Sequence, residues 1–416
     1  MSFDSEQLEG FLQRRDLKRA EVLIARRLRG RLDPHERASA LIARTRVRLF
    51  GGRIDDALND IDEARGLVPE LNDDAAVLEL RGDGHFARFE LASVGFADRS
   101  DTALAREAYQ RILSDFTDYE NIGWIWYQQG RLALTDNHAD MARDYFQRAL
   151  IAPANVPALT AYCYERMGFI AFYEQRDVQT ALSFLNRAVD TYPAVEDRRW
   201  LAQVHTLRSR ILREMRQHTA SLEAAQTAIA IGGRENKIGM ADALLTAAET
   251  LAEMDGGERD VIAYLQQFRQ ISRKPLGIDV TWSRAHEMLG DAYFKTGQHS
   301  AAVTAYRAAL QFNPYHPWEQ SLHYRVARSC YQLGDYADAI DALERLFRAA
   351  AADSESITDY RIYALLANAH YARHAYPAAV DAYVKAIQLA PPYGAALVTL
   401  RKYHRLALDM SAEGVL

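Results

Sequence analysis

Apolar and small side chains along this chain recur at helical spacing, interrupted by short polar or glycine-bearing breaks. In LGDAYFKTGQHSAAVTAYRAALQFNP, residues 289–314, Leu289, Gly290 and Tyr293 share one helical face. Gly297 ends that helix, Ala302, Tyr306 and Ala309 mark the face of a second, and Pro314 closes the unit. The order returns in residues 366–391 with Ala367, Ala379, Tyr383, Ala386 and Pro391, and in 326–346 with Ala327, Gly334 and Ala339. Nearer the start, residues 50–69 carry Gly52, Ala57, Ala64 and Pro69, and residues 162–193 carry Ala181, Leu185, Ala188 and Pro193. Residues 16–28 supply a second helix around Ala20.

The small residue that opens each second helix can be followed through the chain: Ala20, Ala57, Ala105, Ala142, Ala181, Ser221, Val261, Ala302, Ala339 and Ala379. Ser221 and Val261 depart from alanine and mark the weaker units. The mean step is about 40 residues, and the step into Ala105 is the longest, with an extended turn expected in ASVGFADRS, residues 92–100. Gly51-Gly52, Gly232-Gly233 and Gly256-Gly257 fall where helices should end. No period-two alternation persists, so the expected class is all-α.

Units of two helices with small residues at the crossing, aromatics beside them and a closing proline resemble the tetratricopeptide repeat, though longer than its 34 residues. The resemblance implies a right-handed α-solenoid superhelix of about ten antiparallel helix pairs with a closing helix near residues 395–409. Three segments are expected: a degenerate array over 1–271, a more regular block over 283–393, and a capping helix and tail over 394–416. The break between the first two is SRKPLGIDVTWS, residues 272–283.

The repeat register splits WIWYQQGRLA, residues 124–133, between two roles. Trp126 takes the place of the tryptophan that the family packs between its helices, while Trp124, Tyr127 and Arg131 project from the other side. In this family that side of the first helices lines a concave groove. The register puts Arg46, Arg131, Arg210 and Arg328 at equivalent groove positions, and Arg166, Arg213 and Arg361 at other inward ones. Tyr173, Tyr324, Tyr331, Tyr371 and Asn368 complete the expected groove. Arginine offers a planar fork for carboxylates and tyrosine adds contact area at small entropic cost. The expected partner is therefore a protein or peptide with an acidic or carboxylate-bearing segment. The competing reading pairs these arginines with acids such as Glu287, Asp291 and Glu174, so that they hold the array together. Some members of the family capture acidic chaperone tails through lysines and asparagines. Asn368 suits that role, but the companion residues are not present together.

Charge narrows the choice of partner. The net charge is −6, which disfavours a general nucleic-acid binder, although residues 1–53 alone are +6. Two cysteines, Cys163 and Cys330, cannot make a disulfide framework and fit a reducing compartment. MSFDSEQLEG lacks a basic-then-apolar leader pattern and no apolar run of about 18 residues follows, so no membrane insertion and a cytoplasmic location are expected.

Candidate chemistry is sparse. HEMLG, residues 286–290, lacks the second histidine of a zinc-protease helix. His370 and His374 are four apart, but the register gives one a packing role and the other a turn. RGDGHF, residues 81–86, lacks the third glycine and preceding strand of a dinucleotide site, and is read as packing or turn. Cys163 is placed towards the groove as an inert thiol. The function expected is a non-catalytic scaffold or adaptor, without cofactor or metal. The alternative is a bacterial regulatory sensor whose array changes pitch on binding a peptide or small ligand. Apolar residues of AALVTL, 395–400, allow for a homodimer.

Overall fold

The computed structural model describes residues 5–14, 16–92, 98–153, 156–191, 197–233, 236–254, 256–352 and 355–413. The expected turn at 92–100 lies largely outside them, as does Pro193. The described residues form twenty-one α-helices and one 3-10 turn, Pro69–Asp73, with no strand. They fall into two compact units, Met1–Glu196 and Asp197–Leu416.

In the first unit five hairpins follow one another: α1 (Ser5–Gln13) with α2 (Leu17–Leu28), α3 (Pro34–Phe50) with α4 (Ile54–Leu67), α5 (Ala75–Leu91) with α6 (Arg99–Asp115), α7 (Ile122–Thr135) with α8 (Ala139–Ile151), and α9 (Pro157–Tyr173) with α10 (Val178–Thr191). The second unit holds α11 (Arg198–Glu214) with α12 (His218–Gly232), α13 (Lys237–Ala252) with α14 (Glu258–Ile271), α15 (Val280–Lys295) with α16 (His299–Phe312), α17 (Glu319–Leu333) with α18 (Tyr336–Ala352), and α19 (Tyr360–Ala372) with α20 (Tyr376–Leu389). The closing helix is α21 (Ala395–Glu413), which packs on α20 and buries Leu400 and Ala407 while Val398 stays exposed. Within each unit the second helix of one hairpin packs on the first helix of the next, so the hairpins stack as an α-solenoid. No helix among the described residues is long and apolar enough to cross a membrane.

The ten tracked small residues are all buried, nine of them fully, and in every second helix but α6 they are the fourth residue. In four hairpins the bulky side chain one turn after that position lies across a glycine of the first helix. Tyr109, Phe146, Leu185 and Tyr306 cover Gly82, Gly130, Gly168 and Gly290. A methyl group on Gly290 would stand 2.4 Å from the Tyr306 ring. Ser221 departs from alanine for a visible reason: its hydroxyl donates to the Ser209 carbonyl at 2.8 Å and lies 2.9 Å from Thr250 Oγ1, which ties α11, α12 and α13 together. In α6 the small residue comes seventh because the helix starts a turn early. Its buried Asp101 takes bonds from Arg88 and His85 of α5. Longer helices thus account for part of the long step into Ala105.

Turns within the hairpins are equally regular. In eight of them one residue is left-handed: Gly52, Asn137, Arg176, Arg216, Gly256, Gly297, Gly334 and His374. Side chains with a Cβ pay roughly 1–2 kcal/mol there. Aspartate or asparagine caps most first helices, including Asp33, Asp74, Asp197, Asn236, Asp279 and Asp359.

Two outcomes in urea unfolding check this packing. Gly290→Ala should lower stability by about 1–3 kcal/mol through overpacking against Tyr306, whereas Arg216→Gly should raise it by up to about 1 kcal/mol by relieving a left-handed arginine. A gain from Gly290→Ala would be inconsistent with the crossing as described.

Buried histidines predict a pH dependence. Burial, with Arg208 nearby, holds His205 down at about 4; burial, with Arg269 and Lys274 nearby, does the same for His286. Above pH ~6.5 both are neutral folded or unfolded, so neither contributes. Below that, the unfolded chain takes protons that the folded chain refuses, and stability falls until about pH 4. The loss is on the order of 3 kcal/mol per residue at the acid end. His286→Phe, which keeps the stacking on Trp282 and Phe312, should make the unfolding midpoint less sensitive to pH between 6.5 and 4.

Candidate functional site

Two clefts open on the faces of the first helices, one in each unit. In the first unit a cavity of about 570 Å³ crosses α3, α5 and α7. In the second a cavity of about 460 Å³ crosses α13, α15 and α17. It shares Ala252, Met288 and Asp291 with a neighbouring hollow of about 480 Å³ that ends on Val280 and Trp318.

The two clefts are built from one repeated set of residues. Each uses Gly-Asp-x-x-Phe on one first helix, Gly82–Phe86 or Gly290–Phe294, and Tyr-x-x-small-Arg on the next, Tyr127–Arg131 or Tyr324–Arg328. The glycine lets a second-helix tyrosine pass beneath it and reach the cleft. Tyr109 donates to Asp83 Oδ1 at 2.6 Å and Tyr306 to Asp291 Oδ1 at 2.7 Å. A third instance, Tyr383 to Asn368 Oδ1 at 2.6 Å, occurs between α20 and α19. The aspartates then hold the next first helix, through Gln128 at 2.8 Å in one unit and Arg325 at 2.8 Å in the other. Arginine and phenylalanine complete the set. The Arg131 guanidinium lies 4.7 Å from the centre of Phe86, and that of Arg328 lies 4.7 Å from Phe294. The ring centres of Tyr127 and Tyr324 stand 5.9 Å from the same guanidinium groups.

Their electrostatics differ. The first cleft is lined by Glu79, Asp83, Glu90 and Glu120 against Arg46 and Arg131. Burial raises the pKa of Asp83, and also that of Glu79 despite the bonds it accepts from Tyr119 and Asn121. Arg131 is paired with Glu90 and donates to Gln128. In the second cleft Lys295 is paired with Glu258 at 3.3 Å, and Arg325 with both Asp291 and Glu287. Arg328 is exposed and has no ion pair or hydrogen bond among the described residues.

The expected groove residues scatter among several roles. Arg46 and Arg131 line the first cleft and Arg328 the second. Tyr127 is corrected: only 8% exposed, it packs in the core between Trp124, Phe146 and Tyr162. Trp124 is half-buried against Tyr127 and Tyr162, and Trp126, also half-buried, stacks on Tyr145 beneath Arg148. Arg166 pairs with Glu165, Arg210 with Asp242, Arg213 with Glu249, and Arg361 with Asp359. Tyr173 lies among Phe169 and Phe172; Tyr331 meets Tyr336, and Tyr371 meets Tyr376. Of the acids named as competing partners, Glu287 and Asp291 do bind an arginine, but it is Arg325. Glu174 caps α9. Cys163 is also corrected, since it is fully buried and burial pushes its thiol up to about 12. His370 sits on α19, and His374 in the following turn bonds the Tyr376 hydroxyl at 2.7 Å. Among the described residues no group of three or more His, Cys, Asp or Glu side chains is placed to hold a metal ion.

Asp291 was expected only as a partner of the arginines, and Asp83, Phe86, Tyr306 and Arg325 were missed as cleft residues. The signal was present as GDGHF and GDAYF, two copies of one pattern, the first of which reads as a turn when taken alone.

Arg213 and Arg210 separate a structural pair from a surface one. Arg213→Ala, which strips a partner from the mostly buried Glu249, should cost about 1–3 kcal/mol in urea unfolding. Arg210→Ala, at a more exposed pair, should cost under about 1 kcal/mol.

A family model described as anaphase-promoting complex, cyclosome, subunit 3 matches residues 281–346. Among solved structures the apo form of RapI is similar at 13% identity, covering 85% of this chain and 98% of its own, with a TM-score of 0.53. The C-terminal part of a TPR repeat-containing protein from Cytophaga hutchinsonii is 16% identical over 65% of this chain and 98% of its own, at a TM-score of 0.47. YrrB, described as a TPR protein with an unusual peptide-binding site, is 15% identical over 51% of this chain and 95% of its own, at 0.39. A search of curated proteins gives no match. By its stacked hairpins and its likeness of fold to RapI, the chain is an all-α helical-repeat protein, and its repeat register is similar to that of the tetratricopeptide repeat.

Proposed function

We propose that this chain is a non-catalytic interaction module that holds segments of partner proteins against the first-helix faces of its hairpins. The supporting observation is the pair of clefts of about 570 and 460 Å³, each crossing three successive first helices. Both volumes lie in the range of ligand-binding clefts. Half-buried apolar walls such as Met254, Met288 and Phe294 offer burial, and the aspartate, tyrosine and arginine set gives a few fixed polar groups. Side chains bound to one another in this way are pre-organised, which lowers the entropic cost of binding.

The partner is a peptide or protein segment carrying a carboxylate, as the arginines suggest, and the second unit suits it better. In the first unit carboxylates outnumber arginines around the cleft. The test is selection of a displayed random-peptide library on the whole chain. Enriched peptides should bind at least about tenfold more weakly to a Met254→Glu, Met288→Glu variant that keeps its helical circular dichroism. Failure to enrich any sequence, or binding indifferent to both substitutions, would remove the proposal.

A further inference from the structure

Resting on that reading, the two copies of the cleft explain each other. In the first, α5 continues five residues beyond Phe86 to Leu91, and this extra turn carries Glu90 to the guanidinium of Arg131. In the second, α15 stops at Lys295, one residue beyond Phe294, and the counterpart of Glu90 is the uncharged Gln298, which lies outside the helix at the start of α16 and donates to Thr296 at 3.0 Å. Arg328 occupies the place equivalent to that of Arg131, over the equivalent phenylalanine at the same 4.7 Å, with no ionic partner among the described residues. The nearby acids are already engaged, Asp291 by Arg325 and Tyr306, and Glu258 by Lys295.

We propose that the second-unit cleft binds a partner segment whose carboxylate takes the position against Arg328 that Glu90 takes against Arg131. An apolar side chain of that segment lies on the wall formed by Met254, Met288 and Phe294. The first copy is closed by its own chain and the second is open to an outside carboxylate. Stacking on Phe294 and Tyr324 holds the guanidinium in place before binding, so a planar carboxylate meets a fork already oriented. The order of chemistry required is a glutamate or aspartate beside a leucine, methionine or phenylalanine, the arrangement that Phe89, Glu90 and Leu91 present in α5.

The probe follows from the chain itself: a fluorescein-labelled, end-capped nonapeptide copying residues 84–92, GHFARFELA, and its counterpart with glutamine for Glu90. Fluorescence anisotropy on the full chain should give binding of the glutamate peptide roughly tenfold tighter than the glutamine peptide. Arg328→Gln should abolish that preference, and rising salt should weaken it. Glu90→Gln in the full chain should free Arg131 and raise the number of glutamate-selective sites from one to two. Equal binding of the two peptides, binding of neither, or a preference that survives Arg328→Gln would overturn the inference. A library-selected peptide that depends on Met288 but ignores Arg328 would also overturn it, while leaving the interaction reading in place.

Discussion

The close crossing of two helices at a residue with little or no side chain is the constraint from which the other features follow. At Gly82, Gly130 and Gly290 the ring of a second-helix aromatic occupies the space of a Cβ, so these hairpins are held together by contact that no larger residue permits. Where the aromatic is tyrosine, the same contact carries its hydroxyl through the layer to the opposite face. There it bonds Asp83 or Asp291, and the aspartate fastens the next hairpin through Gln128 or Arg325. Packing within one hairpin thereby fixes the polar surface shared with the next. Stability and the candidate binding surface come from one arrangement.

The architecture was legible because solenoid stacking writes itself into sequence at a fixed period. Ala302, Tyr306 and Ala309 identify a helix face without any knowledge of distant contacts, and the tracked positions from Ala20 to Ala379 are buried as their spacing implies. The candidate site was harder to see. Helical periodicity says that Tyr127 and Arg131 share a side of α7, but not that Tyr162 of α9 and Phe146 of α8 close over Tyr127. Cys163 was misplaced for the same reason. Pairing was hidden as well: Glu90 meets Arg131 only because α5 is long, and Arg213 meets Glu249 only because α13 lies against α11.

Charge compensation divides the arginines into two kinds. Arg213, Arg210 and Arg131 have carboxylate partners on a neighbouring hairpin and tie successive repeats together. A guanidinium paired this way gives up much of its attraction for an outside anion. Arg328 keeps that attraction, since its contacts are aromatic rings. Helix length and the exchange of Glu90 for Gln298 separate the two kinds in the otherwise matching clefts, which makes the repeat both a scaffold and a way of varying charge at a constant geometry.

The most direct test is a double-mutant cycle in urea on Gly290→Ala and Tyr306→Leu, measured separately and together. If the ring of Tyr306 fills the place of the missing Cβ, Tyr306→Leu will absorb much of the damage done by Gly290→Ala, with a coupling of at least about 1 kcal/mol. Additive losses, with no coupling beyond error, would mean that the two residues do not share that space.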